Sequence, residues 1–181
     1  MKTRPFSTFQ LILLALFAGL IVAAKIVLKT PIRLPGHSGL FWMALVVVAI
    51  GLVPRAGAGS LVGLTSGILA GFLGMGDFGA LDTFLSYTAV GVAADLAFML
   101  LRNLDNLVIC ALVGVIGHLG KFVVKWALGA ATGAPLGFIA LGLAGSFASY
   151  VFFGVLGGVL GGLTLKALRR AGFFAYLAER R

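Results

Sequence analysis

The chain has 181 residues, 61% of them hydrophobic and only 10% charged, with a mean hydropathy of +1.14. Soluble domains are roughly 45–50% apolar and about 25% charged, and a chain near 150 residues buries only about 70% of its unfolded surface. A water-soluble globular enzyme, a disordered segment and a disulfide-stapled fold are therefore excluded, and the net charge of +9 is to be sorted by membrane side before any nucleic-acid partner is considered.

A membrane-crossing helix needs about 20 apolar residues. Non-alternating apolar runs in lipid read as helices, because the backbone has no water to bond. Six runs follow in order: Phe9–Leu28, Gly39–Val53, Ala58–Leu73, Thr83–Leu101, Leu107–Leu128 and Phe138–Leu168. The second and third are short and separated by little more than Pro54-Arg55, which predicts a tight hairpin. The first follows Lys2 and Arg4, and Val22-Ala23-Ala24 is similar to a signal cleavage site. Its length favours retention, as does a stripe of Ala15, Gly19 and Ala23, whose small side chains let another helix approach closely. The expected fold is an all-α integral membrane bundle of six transmembrane helices, one domain over residues 1–181, multi-pass in the cell membrane. The lone Cys110 lies in an apolar run and reads as packing.

On this topology Lys2, Arg4, Arg55, Arg102, Lys166, Arg169, Arg170, Arg180 and Arg181 share the side of the N-terminus, against Lys25, Lys29, Arg33, Lys121 and Lys125 on the other. That excess places both termini in the cytoplasm by the positive-inside rule. Topology explains the majority and leaves the minority unexplained. His118, Lys121 and Lys125 share one helix face, with Lys121 about 5 Å and Lys125 about 11 Å further out than a His118 near mid-bilayer. Lys25 and Lys29 stand one turn apart at the outer end of the first helix, and Arg33 and His37 follow in the loop. A charge at a helix centre costs about 2.5–3.5 kcal/mol, and snorkelling relieves Lys25 and Lys125 more readily than Lys121.

Two readings of these cations stay open. One is interfacial snorkelling with a pairing to Asp77 or Asp82; the other is an outward-facing pocket for a carboxylate or phosphate. Asp95 is the one acid within an expected span, in the lower half of the fourth helix, with Arg102 on its face. Hydrogen bonding to neighbouring helices is its default reading, and a proton relay the alternative. Phe41, Trp42, Tyr87 and Trp126 fall at outer-leaflet positions, where an interfacial belt and stacking on a ligand explain them equally. Ser146, Ser149 and Tyr150 add hydroxyls deeper in the sixth helix, and Gly154, Gly158 and Gly162 there read as close packing.

Several literal motifs fail on context. Gly74-Met75-Gly76-Asp77-Phe78-Gly79 spells G-x-G-x-x-G but follows no strand. Gly120-Lys121 lacks the earlier glycine and the following Ser or Thr of a phosphate loop, and Gly63–Gly67 is no nucleophile elbow. His37 and His118 are too few and too separated for a metal site. Neither an enzyme nor a cofactor is expected.

The stretch Leu52-Val53-Pro54-Arg55-Ala56-Gly57-Ala58-Gly59, followed by Leu61-Val62-Gly63 and Gly67-Ile68-Leu69, resembles the helix 2–3 hairpin of substrate-binding (S) components of energy-coupling factor vitamin transporters, especially the thiamine-precursor type. The Ala15/Gly19/Ala23 stripe adds to the likeness, with glycine at one usual alanine place. The resemblance implies capture of a vitamin or precursor near the outer face, docking of the first helix on a transmembrane coupling (T) subunit, and transport driven by two ATPase subunits. It would make Ala15, Gly19 and Ala23 the docking face and put Arg33 and His37 in a first-loop lid. Lys121, Lys125, His118, Tyr87, Ser146 and Tyr150 would be candidate substrate contacts. The outer half is basic whereas thiamine is cationic, so the expected ligand is anionic. The alternative is a proton-coupled secondary carrier or small channel using Asp95 and His118, although residues 1–90 and 91–181 show no repeat of the kind many carriers carry. A structural membrane protein, with the cations incidental, is the third class.

Overall fold

The computed structural model describes residues 6–27, 36–75, 79–131 and 136–174 and, within 136–144, the backbone alone. Among them are six helices and no strand: α1 (Thr8–Val27), α2 (Gly39–Leu52), α3 (Ala58–Phe72), α4 (Ala80–Leu101), α5 (Leu107–Ala131) and α6 (Leu136–Arg170). Each expected run is a helix, shifted by no more than a turn at either end. In α1, α4, α5 and the Gly145–Arg170 part of α6 the helices are long and apolar enough to cross a membrane. With 14 and 15 residues, α2 and α3 extend only about 21 Å and 22 Å, short of a hydrocarbon core of about 30 Å.

Local chemistry sets the ends. Ser7 and Gln10 form a reciprocal capping box on α1: the Ser7 N–H donates to Gln10 Oε1 (3.1 Å) and the Gln10 N–H to Ser7 Oγ (3.3 Å). Pro54 cannot continue α2, and Gly57, at φ +94°, takes the left-handed turn into α3. Arg102 leaves α4 in a left-handed C-cap (φ 52°) and its Nε donates to the Met99 carbonyl. The face it was expected to share with Asp95 therefore ends one residue too early. Asn106 starts α5, its Oδ1 accepting from the Val108 N–H at 2.9 Å.

The helices close a ring in which α1 packs on α3, α3 on α4, α4 on α5, α5 on α6, α6 on α2 and α2 on α1. Because α2 also meets α3, α4 and α5, it fills the middle of the bundle. Its sequence accounts for this place: it is apolar on every side, and 11 of its 14 residues are buried. Glycines supply the closest approaches. A Cβ on Gly63 would sit 2.6 Å from the Tyr87 carbonyl and 2.9 Å from Gly91 Cα, and one on Gly114 would sit 2.8 Å from Gly158 Cα. Gly157 and Gly161 likewise seat α6 against the backbone of α2. Such seams replace the hydrophobic driving force that lipid cannot provide.

Gly63→Leu places a side chain into backbone that has no rotamer to yield, so it is expected to cost about 3 kcal/mol or more. Fluorescence-detected gel filtration should show little monodisperse protein. Gly19→Leu, where nothing lies within 4 Å of the added carbon, should elute like the parent chain.

Candidate functional site

Three lysines, one at the end of α1 and two on α5, line one cleft beside the start of α4. Lys25, at the C-terminal end of α1, donates from Nζ to the Met75 carbonyl (2.7 Å) and stands 5.4 Å from the centre of the Tyr87 ring. Lys121 Nζ lies 5.5 Å from the Trp42 ring. Lys125 Nζ donates to Asp82 Oδ2 at 2.6 Å, and Asp82, in the first turn of α4, is only 2% exposed. Ser86 Oγ donates to the other oxygen of that carboxylate at 3.1 Å. A carboxylate in the first turn also suits the positive end of the α4 dipole.

The two aromatic rings under these ammonium groups touch each other, with centroids 4.7 Å apart. Cation–π contact with their faces helps hold Lys25 and Lys121 in place. The three lysines, Tyr87, Asp82 and Ser86 line an open cleft completed by Met75 and Thr83, with room inside for about one water. Three ammonium groups face one carboxylate on its wall. Asp77 lies outside the described residues.

Beneath the cleft, His118 is fully buried, with Nδ1 2.9 Å from the Tyr150 carbonyl. A carbonyl only accepts, so Nδ1 carries the proton and Nε2 is left as an acceptor. The Tyr150 ring stacks at a tilt 4.6 Å from the imidazole and is itself buried. Gly39 makes room for this histidine, since a Cβ there would run into the imidazole ring. Gly36, at φ +79°, closes over it, and a Cβ there would stand 3.1 Å from His118 Cε1.

The residues expected at the site thus divide. Lys121, Lys125 and Tyr87 line the cleft, joined by Lys25. His118 and Tyr150 pack one layer below it rather than on its wall. His37 sits in the turn before α2, where its carbonyl accepts from the Leu40 N–H at 3.3 Å, and Ser146 is half-buried on α6; neither is part of the cleft lining. Arg33 and Lys29 lie outside the described residues. Ala15 and Ala23 are exposed, and Gly19 has no atom near its missing side chain, so the small stripe of α1 faces away from the bundle.

Thr83 and Ser86 are cleft residues that sequence reasoning missed, although their spacing with Asp82 and Tyr87 over one and a half turns already put them near one face. Trp42 was equally a candidate for an interfacial belt; it is 5% exposed and part of the core, while Trp126, 48% exposed, keeps a belt-like position.

Asp95 follows its default reading through an unexpected partner. Its carboxylate, 3% exposed, accepts from the backbone N–H groups of Gly59 (2.9 Å) and Ser60 (2.7 Å) and from Ser60 Oγ (2.6 Å). It caps the N-terminus of α3 from across the bundle. Compared with protein-family models, with curated proteins and with solved structures, the chain matches none of them.

Two stability outcomes follow from these bonds. Lys125→Met strands the buried Asp82 charge and should cost about 3 kcal/mol; adding Asp82→Asn should return part of it, read as thermal unfolding in detergent. Asp95→Ala leaves two backbone donors of α3 without their acceptor and is expected to cost about 2–3 kcal/mol in the same measurement.

Proposed function

We propose that this chain is the substrate-capture (S) subunit of an energy-coupling factor importer in the cell membrane. In this reading it has six spans and cytoplasmic termini. It takes a small anionic vitamin or vitamin precursor at its outer face and delivers it to a T subunit driven by two ATPases. The observation that carries the reading is the convergence of Lys25, Lys121 and Lys125 on one cleft, where cations are costly in lipid and are disfavoured by topology. Supporting it, α1 turns Ala15, Gly19 and Ala23 outward, a surface on which a partner helix can pack closely. The chain binds and delivers, with no cofactor and no chemistry of its own.

A proton-coupled carrier would need Asp95 and His118 to exchange protons along a path. Both are committed to other work, Asp95 to the end of α3 and His118 to the Tyr150 carbonyl.

The tagged chain, purified from its native membrane, should bring down a coupling subunit and an ATPase pair, and Gly19→Leu should lose them while remaining monodisperse. Within such a complex Lys121→Ala should weaken retention of the co-purifying anion at least tenfold, and Arg102→Ala should not. Uptake driven by a proton gradient into vesicles holding this chain alone, abolished by Asp95→Asn, would overturn the proposal in favour of the carrier.

A further inference from the structure

One face of α6 carries a stripe whose chemistry changes at its end. Phe152, Leu156, Val159, Leu163, Lys166 and Arg170 follow one another at alternating steps of four and three residues, the spacing of a single helix face. Phe152 (57% exposed), Leu156 (38%) and Leu163 (49%) leave this face open, and Val159 is half-buried on it. The apolar part stops where Lys166 and Arg170 stand one turn apart. From Phe152 to Lys166 the stripe rises about 21 Å. The apolar Gly145–Arg170 segment has 26 residues and extends about 39 Å, more than a hydrocarbon core of about 30 Å, so its cationic end reaches the headgroups.

A cation in the last turn of a helix suits the dipole, and a cation at the end of a span suits topology. Neither reason sets Lys166 and Arg170 in line with an open apolar column. Their neighbour Arg169 makes the contrast: it turns to Asp105 and to the Phe174 ring, whereas Lys166 and Arg170 form no hydrogen bond or ion pair among the described residues. We propose that this face of α6 holds an anionic phospholipid, with its phosphate between Lys166 and Arg170 and an acyl chain along Leu163, Val159, Leu156 and Phe152. Clustered cations at the end of a span attract anionic lipid. The exposed column beneath them supplies the contact for a chain, which a soluble phosphate or an acidic protein segment does not need. A second copy of this chain, inserted in the same orientation, would bring the same two cations against these and is disfavoured. The assignment is independent of what the cleft captures and of which side of the membrane this end of α6 faces.

Native mass spectrometry of the full chain in detergent, titrated with lipid, tests this directly. Dioleoyl phosphatidylglycerol and dioleoyl phosphatidylcholine share their chains and differ in net charge, and glycerol phosphate has the phosphate without chains. Phosphatidylglycerol should be retained with a lower Kd than phosphatidylcholine, and excess glycerol phosphate should not displace it. Lys166→Ala and Arg170→Ala should each raise the phosphatidylglycerol Kd about fivefold, and the two together about thirtyfold. Arg170→Lys should keep most of the affinity, and Arg102→Ala, which removes a cation off this face, should change it less than about twofold. If the double variant does not fold, the single variants and the comparison of the two lipids in the parent chain decide. Equal retention of the two lipids overturns the proposal, as does an Arg102→Ala effect as large as that of Arg170→Ala, which would mean a response to overall charge. Displacement by glycerol phosphate overturns it in favour of a soluble phosphate. A double variant that keeps phosphatidylglycerol but loses a protein from material purified out of the native membrane overturns it in favour of an acidic partner segment.

Discussion

Inside a bilayer every backbone N–H and C=O must find its partner within the protein, and that constraint bears hardest on the two short helices. An end of α3, about 22 Å long, cannot rely on water at both interfaces. Asp95 resolves this by reaching from α4 to accept the first free N–H groups of α3, with the helix dipole offsetting its charge. The same bonds tie the α2–α3 hairpin to the wall of the bundle. The hairpin then holds α2 in the middle, and α2 brings Trp42 against Tyr87 and Gly39 over His118. The site is thus assembled on a helix that is too short to be held by lipid and is held by its neighbours.

The cleft manages positive charge in three different ways. Lys125 is neutralised by a buried carboxylate, Lys25 is held by a carbonyl and a ring face, and Lys121 by a ring face. Contact with a quadrupole or a carbonyl dipole helps keep an ammonium group in place. At the other end of the bundle Arg169 pairs with Asp105 and lies over Phe174, an arrangement that ties α6 to the α4–α5 turn and forms no cleft among the described residues.

Much of this was legible in the chain. Helix positions follow from apolar runs punctuated by Pro54, Gly74 and Asn106, because a membrane leaves helices little choice of length or place. The gathering of Lys121 and Lys125 follows from α5 periodicity, and a partner at Asp77 or Asp82 was anticipated; Asp82 pairs with Lys125. The layer below was not legible. Nothing local says that Gly39 must lack a side chain for the sake of a histidine 79 positions later, or that Asp95 caps a helix starting at Ala58. Such contacts join residues far apart in sequence, and no periodicity encodes them. Trp42 illustrates the same limit, since an aromatic at a helix start looks alike whether it faces headgroups or a core.

Among the described helices α1 is the exception to the glycine seams. From α2 to α6 each neighbour is seated backbone to backbone at Gly63, Gly91, Gly114, Gly157 or Gly120, whereas the lone glycine of α1 touches nothing. Side chains such as Leu14, Phe17 and Ile21 hold α1 to the bundle instead. Backbone seams admit no sliding without collision, but interdigitated side chains can re-pack. The neighbours among α2–α6 thus meet through backbone seams, and α1 joins them through side chains. α1 carries Lys25 at one end and the outward small-residue stripe along its length, so one helix joins the rim of the cleft to the outer face of the bundle.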